Sequence, residues 1–280
     1  MKKSTRLKRS GPRAFFLISA GLILLFTACA PLAPTRPEEP TPPAAETVLK
    51  NLAAEAASPR SFAGRGRVRF VTRDSHQNLD MVLAAAPPDR FRVQLYDFIG
   101  RPALTMVADQ AGLFVLDHRE KIFYRGLPTP AGVGRFLPVA LSVEKLISLS
   151  MGFPPFLAHK KAETFADHDA KLWRIELFDD SGTSLERLWL TRADLQVVKI
   201  ETGPRDDPTF QVLFSGFLQN GPAASRPKKI SLNDPKNQST GILEYDEIKI
   251  DPDLPPDFFR LAPPPGIKTR TMPADGDGRS

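Results

Sequence analysis

Apolar and polar residues alternate along most of this chain with the period of a half-buried strand. Phe62, Gly64, Gly66, Val68 and Phe70 interleave with Arg65, Arg67 and Arg69. Leu79-Met81-Leu83, Phe91-Val93-Leu95, Leu104-Met106-Ala108 and Leu113-Val115 continue the pattern, with Ile122-Tyr124 as a short sixth run. Turn-forming clusters separate them, among them Arg73-Asp74-Ser75, Pro87-Pro88-Asp89 and Gly100-Arg101-Pro102. A second set follows Lys171: Trp173-Ile175-Leu177, Leu185 to Leu190, Leu195 to Ile200, Phe210-Val212-Phe214, Lys229 to Leu232 and Ile242 to Ile250. Two stretches break the alternation with helical spacing. They are Ala45 to Ala57, and Val139 to Gly152, where Ser142 can cap and Gly152-Phe153-Pro154 stops the helix.

Short strands in meander order predict an antiparallel sheet. About eleven strands in one flat sheet would leave two long exposed edges. The expected fold is therefore mainly β: a strongly curved antiparallel sheet, a half-barrel, with helices covering its concave face. A closed barrel or a sandwich fits the alternation nearly as well.

The N-terminus follows a different logic. Lys2, Lys3, Arg6, Lys8, Arg9 and Arg13 precede an apolar run, Ala14 to Ala28, that ends in small residues before Cys29. This is the layout of an export signal, and the run is shorter than the roughly 20 residues of a spanning helix. Leu25-Phe26-Thr27-Ala28-Cys29 resembles the bacterial lipobox, in which the cysteine is acylated and becomes the first mature residue. Phe26 stands where Leu is usual. The expected division is a signal over 1–28, acylated Cys29 with a proline-rich tether over 29–44, a folded domain over 45–266 and a disordered tail over 267–280. At about 3.1 Å per residue, such a tether holds the domain roughly 40 Å from a bilayer.

That reading changes the meaning of the charge. The signal carries six of the 38 basic residues and none of the 32 acidic ones, so the remainder is neutral. Without a positive footprint, nucleic-acid binding is not expected. A single cysteine also excludes an internal disulfide. Catalytic signatures are missing: the sequence has no Gly-x-Ser-x-Gly, no phosphate-binding glycine loop and no His-Glu-x-x-His. His76, His118, His159 and His168 are scattered near turns, and Asp167-His168-Asp169 and Asp179-Asp180-Ser181-Gly182 read as solvated turns. No enzyme, metal site or cofactor is expected.

Three stretches carry a family likeness. They are Arg90 to Asp109 (RFRVQLYDFIGRPALTMVAD), Lys145 to Pro154 (KLISLSMGFP) and Leu254 to Gly266 (LPPDFFRLAPPPG). Together, and in this order, they resemble the LolA/LolB family of periplasmic lipoprotein carriers and receptors. The resemblance implies a curved sheet and helical lid enclosing an acyl-chain cavity. It also implies a receptor anchored in the outer membrane, facing the periplasm, that takes lipoproteins from a LolA-like carrier. The position matching the apolar residue of the LolB loop is Ile99, with Phe98 beside it. The Phe98 position is usually polar or proline in that family, and the region after Lys171 is longer here.

Physical chemistry agrees with lipid handling. Each methylene left in water costs about 0.8 kcal/mol, so a long acyl chain carries on the order of 10 kcal/mol and needs shelter. The expected lining is Val68, Phe70, Met81, Leu83, Phe91, Val93, Leu95, Met106, Trp173 and Ile175; the same residues would equally form a packed core. Two large apolar side chains at a hairpin tip, Phe98 and Ile99, suggest a finger for a membrane or an acyl chain. The alternative is a non-catalytic sensor or protein-interaction lipoprotein with a filled interior. A cavity of several hundred cubic ångströms would mark the first, a packed hollow the second.

Overall fold

The structure, a computed structural model, describes residues 41–167, 171–218 and 225–273. The expected signal, Cys29, most of the tether, His168 and Asp169 lie outside them.

Helix α1 (Ala45–Ala57) opens the described chain, burying Val48 and Leu49. Six strands follow as a meander: β1 (Phe62–Val71), β2 (His76–Ala86), β3 (Arg90–Tyr96), β4 (Pro102–Asp109), β5 (Gly112–Asp117) and β6 (Ile122–Gly126). A connection with two short helices, α2 (Pro130–Gly134) and α3 (Val143–Ser150), leads to a second meander. That comprises β7 (Lys161–Asp167), β8 (Leu172–Phe178), β9 (Ser184–Thr191), β10 (Val197–Thr202), β11 (Phe210–Leu218), β12 (Arg226–Asp234) and β13 (Ser239–Ile250). A 3₁₀ turn (Pro256–Phe259) and a last strand, β14 (Lys268–Thr271), complete the order.

All fourteen strands join one curved, open sheet in the order β14-β6-β5-β4-β3-β2-β1-β13-β12-β11-β10-β9-β8-β7. Its ends, β14 and β7, do not meet, so the barrel and sandwich alternatives fall away. The count exceeds the roughly eleven expected and the twelve runs that alternation marks. The two strands that alternation misses, β7 and β14, are the two edges. Neither has a strongly buried face: β7 is half-buried after an exposed Lys161 and β14 is exposed throughout, so neither needs an apolar period.

β14 also corrects the tail. Residues 268–271 pair in parallel with β6, and Met272 is buried against Gly126 beyond them. Lys-Thr-Arg-Thr gives no hydrophobic signal because the pairing rests on backbone hydrogen bonds. Residues 274–280 lie outside the described residues.

β1 and β13 join the meanders across a bulge between Arg65 and Gly66. A Cβ on Gly66 would sit 2.1 Å from the Glu244 carbonyl oxygen, and one on Gly64 would sit 2.5 Å from the Tyr245 ring. These glycines let the ring of Tyr245 pack edge-on against Phe62.

The topology dictates where α2 and α3 must run. β6 lies next to one end of the sheet and β7 at the other end, so residues 127–160 have to traverse a sheet face. They cross the apolar one. Leu146, Ile147 and Leu149 of α3 share one core with Val68, Met81, Leu83, Phe91, Ile175, Leu188 and Ile230. Ser142 caps α3 by accepting the Lys145 N–H at 3.3 Å. On the other face, Ala84, Ala86 and Val107 pack under Phe259 in a second, smaller core. There Arg92 stacks on Phe258 at 5.1 Å and donates to its carbonyl oxygen at 2.9 Å.

Candidate functional site

The hollow between α3 and the sheet is walled only by apolar contacts and is nearly filled. Its cavity measures about 50 Å³. Val68, Phe70, Met81, Leu83, Phe91, Val93 and Leu95 line it from the sheet, and Leu146 and Leu149 close it from α3. Leu137, Val139, Ile230, Leu232 and Leu243, which sequence reasoning did not select, also form its wall. Met106, Trp173 and Ile175 do not line it. They are buried in the continuous core, with the Arg192 guanidinium 4.8 Å over the Trp173 ring. Alternation finds the face a residue points to, but not whether space remains above it. Sites that hold small molecules usually measure about 300–1,000 Å³, so this hollow as it stands admits no acyl chain.

A buried hydrogen bond fastens α3 over the hollow. The Tyr245 hydroxyl donates to the Ser150 carbonyl oxygen at 2.8 Å, and Tyr245 is fully buried. Burial pushes its phenol far above the ordinary value, so it remains a donor at any ordinary pH.

The β3–β4 hairpin tip contrasts with this packed interior. Phe98 is 90% exposed and Ile99 is 56% exposed. The tip is nevertheless ordered by Asp97. Its Oδ1 accepts the N–H groups of Ile99 (3.1 Å) and Arg101 (2.9 Å), and its Oδ2 accepts Arg101 Nε at 2.9 Å. Gly100, at φ +78°, supplies the left-handed residue that closes the turn. Desolvation works against the charged carboxylate, yet these donors and the Arg101 charge together hold it below its ordinary range. Both apolar side chains are thus held outward on a latched turn. Sequence reasoning selected Phe98 and Ile99 but missed the latch, whose signal was Asp and Arg four residues apart around Gly100.

Among the described residues no three or more His, Cys, Asp and Glu side chains converge as metal ligands. His76, His118 and His159 sit on separate elements: on β2, after β5 and before β7. No described helix is long and apolar enough to cross a membrane.

A wide, open antiparallel sheet whose helical crossover packs on the apolar face is the LolA/LolB-like fold. Solved structures of that fold superpose on nearly their whole length. A Vibrio parahaemolyticus domain named for outer membrane lipoprotein sorting matches with a TM-score of 0.54 at 11% identity, over 77% of this chain and 95% of its own. A DUF1329 family protein from Desulfovibrio piger matches with 0.53 at 10%, over 79% and 98%. A LolA superfamily protein from Nitrosomonas europaea matches with 0.50 at 14%, over 78% and 97%. At these identities the common property is the fold. No family model matches the sequence, and no curated protein does.

Proposed function

We propose that this protein handles the acyl chains of lipids or lipoproteins at a membrane, as a non-catalytic receptor anchored through Cys29 to the periplasmic face of the outer membrane. The observation that carries the reading is the latched tip. Exposing Phe98 and Ile99 to water is unfavourable, and moving both into hydrocarbon gains about 4 kcal/mol, roughly a thousandfold in partitioning. A turn that spends hydrogen bonds on holding them outward is built for an apolar acceptor. The fold supports the same reading, since relatives in structure are named for lipoprotein sorting and for the LolA superfamily. In this reading a LolA-like carrier delivers the cargo, the hollow receives its chain once the crossover lifts, and the tip enters the bilayer.

The filled hollow favours a second reading, a sensor or interaction lipoprotein of the same fold. One experiment separates the two. Purified full chain and its Ile99→Glu variant are compared for insertion of a diacylated lipoprotein into phospholipid vesicles, with thermal unfolding as a control. Insertion is expected to fall at least about tenfold, with unfolding unchanged because the side chain is exposed. Equal insertion by both proteins would retire the receptor and leave the sensor.

A further inference from the structure

A second cavity, of about 600 Å³, lies beside α3 toward the other end of the sheet. Leu141, Leu157, Ile200, Phe210 and Val212 give it apolar walls. The rest of the wall carries polar residues, Lys145, Ser184, Glu186 and Asp234 among them. Glu186 alternates with core residues on β9, in phase with Leu188 and Leu190, so its side chain faces inward. Ser184 lies past a bulge in the β8–β9 register and also lines the cavity. Glu186 is 1% exposed. Its Oε2 accepts the Leu157 N–H at 2.9 Å. Ser184 Oγ is buried with no hydrogen-bond partner. Lys145 of α3 lines the same cavity and has no ion-pair partner among the described residues.

An inward carboxyl, an unused hydroxyl and a free ammonium above a greasy channel form a head-and-tail site. We propose that this cavity binds a single-chain carboxylic acid, a fatty acid, with its carboxylate between Lys145, Ser184 and the Glu186 side chain and its hydrocarbon tail along Leu157, Phe210 and Val212. The local cation, Lys145, selects an anion at this end of the cavity. The ligand carboxylate pairs with Lys145, accepts the Ser184 hydroxyl, and accepts the proton of a neutral Glu186. An ester or a hydrocarbon offers Lys145 no charge-assisted hydrogen bond. The central hollow, walled by apolar contacts alone, has no place for such a head group.

Glu186 is suited to donate. Burial pushes its carboxyl up to about 7, against the lowering influence of the Leu157 N–H, Lys145 and His159. The other charged group around the cavity is Asp234 of β12, while the cross-strand neighbours Leu177 and Thr202 are neutral. Arg187 and Glu201 pair with each other on the opposite face. Binding is therefore tighter below neutrality, where Glu186 holds its proton, and weaker above it, where two carboxylates face each other.

The test is titration of the purified full chain with dodecanoic acid carrying a carbon-13 carboxyl, read by calorimetry and by the carboxyl resonance. One equivalent is expected to bind at about pH 6 and to weaken about tenfold by about pH 8. Lys145→Met should weaken the acid about tenfold and leave methyl dodecanoate unaffected. Glu186→Gln should retain binding and flatten the pH profile, because the amide donates at every pH. Ile99→Glu should change none of this, so failure of the receptor reading and failure of this one are distinguishable. Absence of binding by the unsubstituted chain would overturn the proposal. So would methyl dodecanoate binding as tightly as the acid, or wild-type affinity and pH profile in both Lys145→Met and Glu186→Gln.

Discussion

Two spaces flank the same short helix, and they differ in nearly every respect. The hollow under Leu146 and Leu149 is walled by apolar contacts alone and holds about 50 Å³. The cavity beside Lys145 holds about 600 Å³ and keeps an inward carboxyl among its walls. The difference comes from what β-strand alternation places opposite α3. On β1 to β3 the side chains facing α3 are apolar, Val68, Phe70, Met81, Leu83, Phe91, Val93 and Leu95, and they share one core with the helix. On β9 the inward series ends in Glu186, beside Ser184 past the bulge, and a buried polar group cannot be packed shut without partners. A chain entering the first space must first lift α3, and the free energy of lifting is subtracted from its affinity. A ligand of the second finds its space already present.

The sharpest test of the packed side is Leu149→Ala. Leu149 is buried against the hollow, so the truncation is expected to cost about 2–5 kcal/mol in urea unfolding and to enlarge the cavity. A loss under about 1 kcal/mol would mean that the space beneath α3 is loose, and the contrast between the two sides would disappear.

Glu186→Gln tests the other side at about the same scale. The folded carboxyl holds its proton up to about 7, while the unfolded chain releases it near 4.5. Between these values the folded state binds more protons, so stability falls as pH rises, by roughly 3 kcal/mol across the window. The variant carries no such penalty. It is expected to match the parent near the lower limit and to be more stable above neutrality, as read from urea midpoints against pH. Identical pH profiles would show that Glu186 does not titrate in this window.

Tyr245→Phe probes the hinge between the spaces, with a smaller effect. Losing the hydroxyl strands the Ser150 carbonyl oxygen in the interior, at a cost of about 1–3 kcal/mol. Amide exchange at Ile147 to Met151 is expected to quicken more than exchange in β8 and β9. Unchanged exchange would mean that side-chain packing alone holds α3 down.

These contrasts also mark what could be read from the chain. The inner strands were legible because each has a face to bury: Val68 with Phe70, Met81 with Leu83, Phe91 with Val93 and Leu95. The edges β7 and β14 were not, because a strand with no strongly buried face carries no period. Helix α3 was legible from Ser142 and its apolar spacing, whereas α2 was missed because Pro-Ala-Gly-Val-Gly reads as a loop. The tip announced itself through Phe98 and Ile99, since apolar loop tips are unusual. The volume under α3 was beyond reach, because alternation gives direction and not depth. Glu186 was visible in principle as a charged residue in core phase with Leu188 and Leu190, a pattern that a search for catalytic motifs passes over.

The smallest effect concerns the tip, and it asks whether order or mere exposure matters there. Asp97→Ala removes the acceptor for the N–H groups of Ile99 and Arg101 but leaves Phe98 and Ile99 in place. Because the carboxyl lies below its ordinary 3.8 in the folded chain, its contribution is present above that pH and is lost only as pH falls through the lowered value. At neutral pH the variant is therefore expected to lose the latch fully while the fold stays intact. If the turn exists to present a pre-ordered apolar point, binding to phospholipid vesicles falls a few-fold, because a loosened loop must be ordered again as it enters the bilayer. If hydrophobic area alone drives the contact, Asp97→Ala binds as the parent does, and the tip becomes a greasy patch rather than a shaped one. Vesicle sedimentation of the two proteins at neutral pH decides between these.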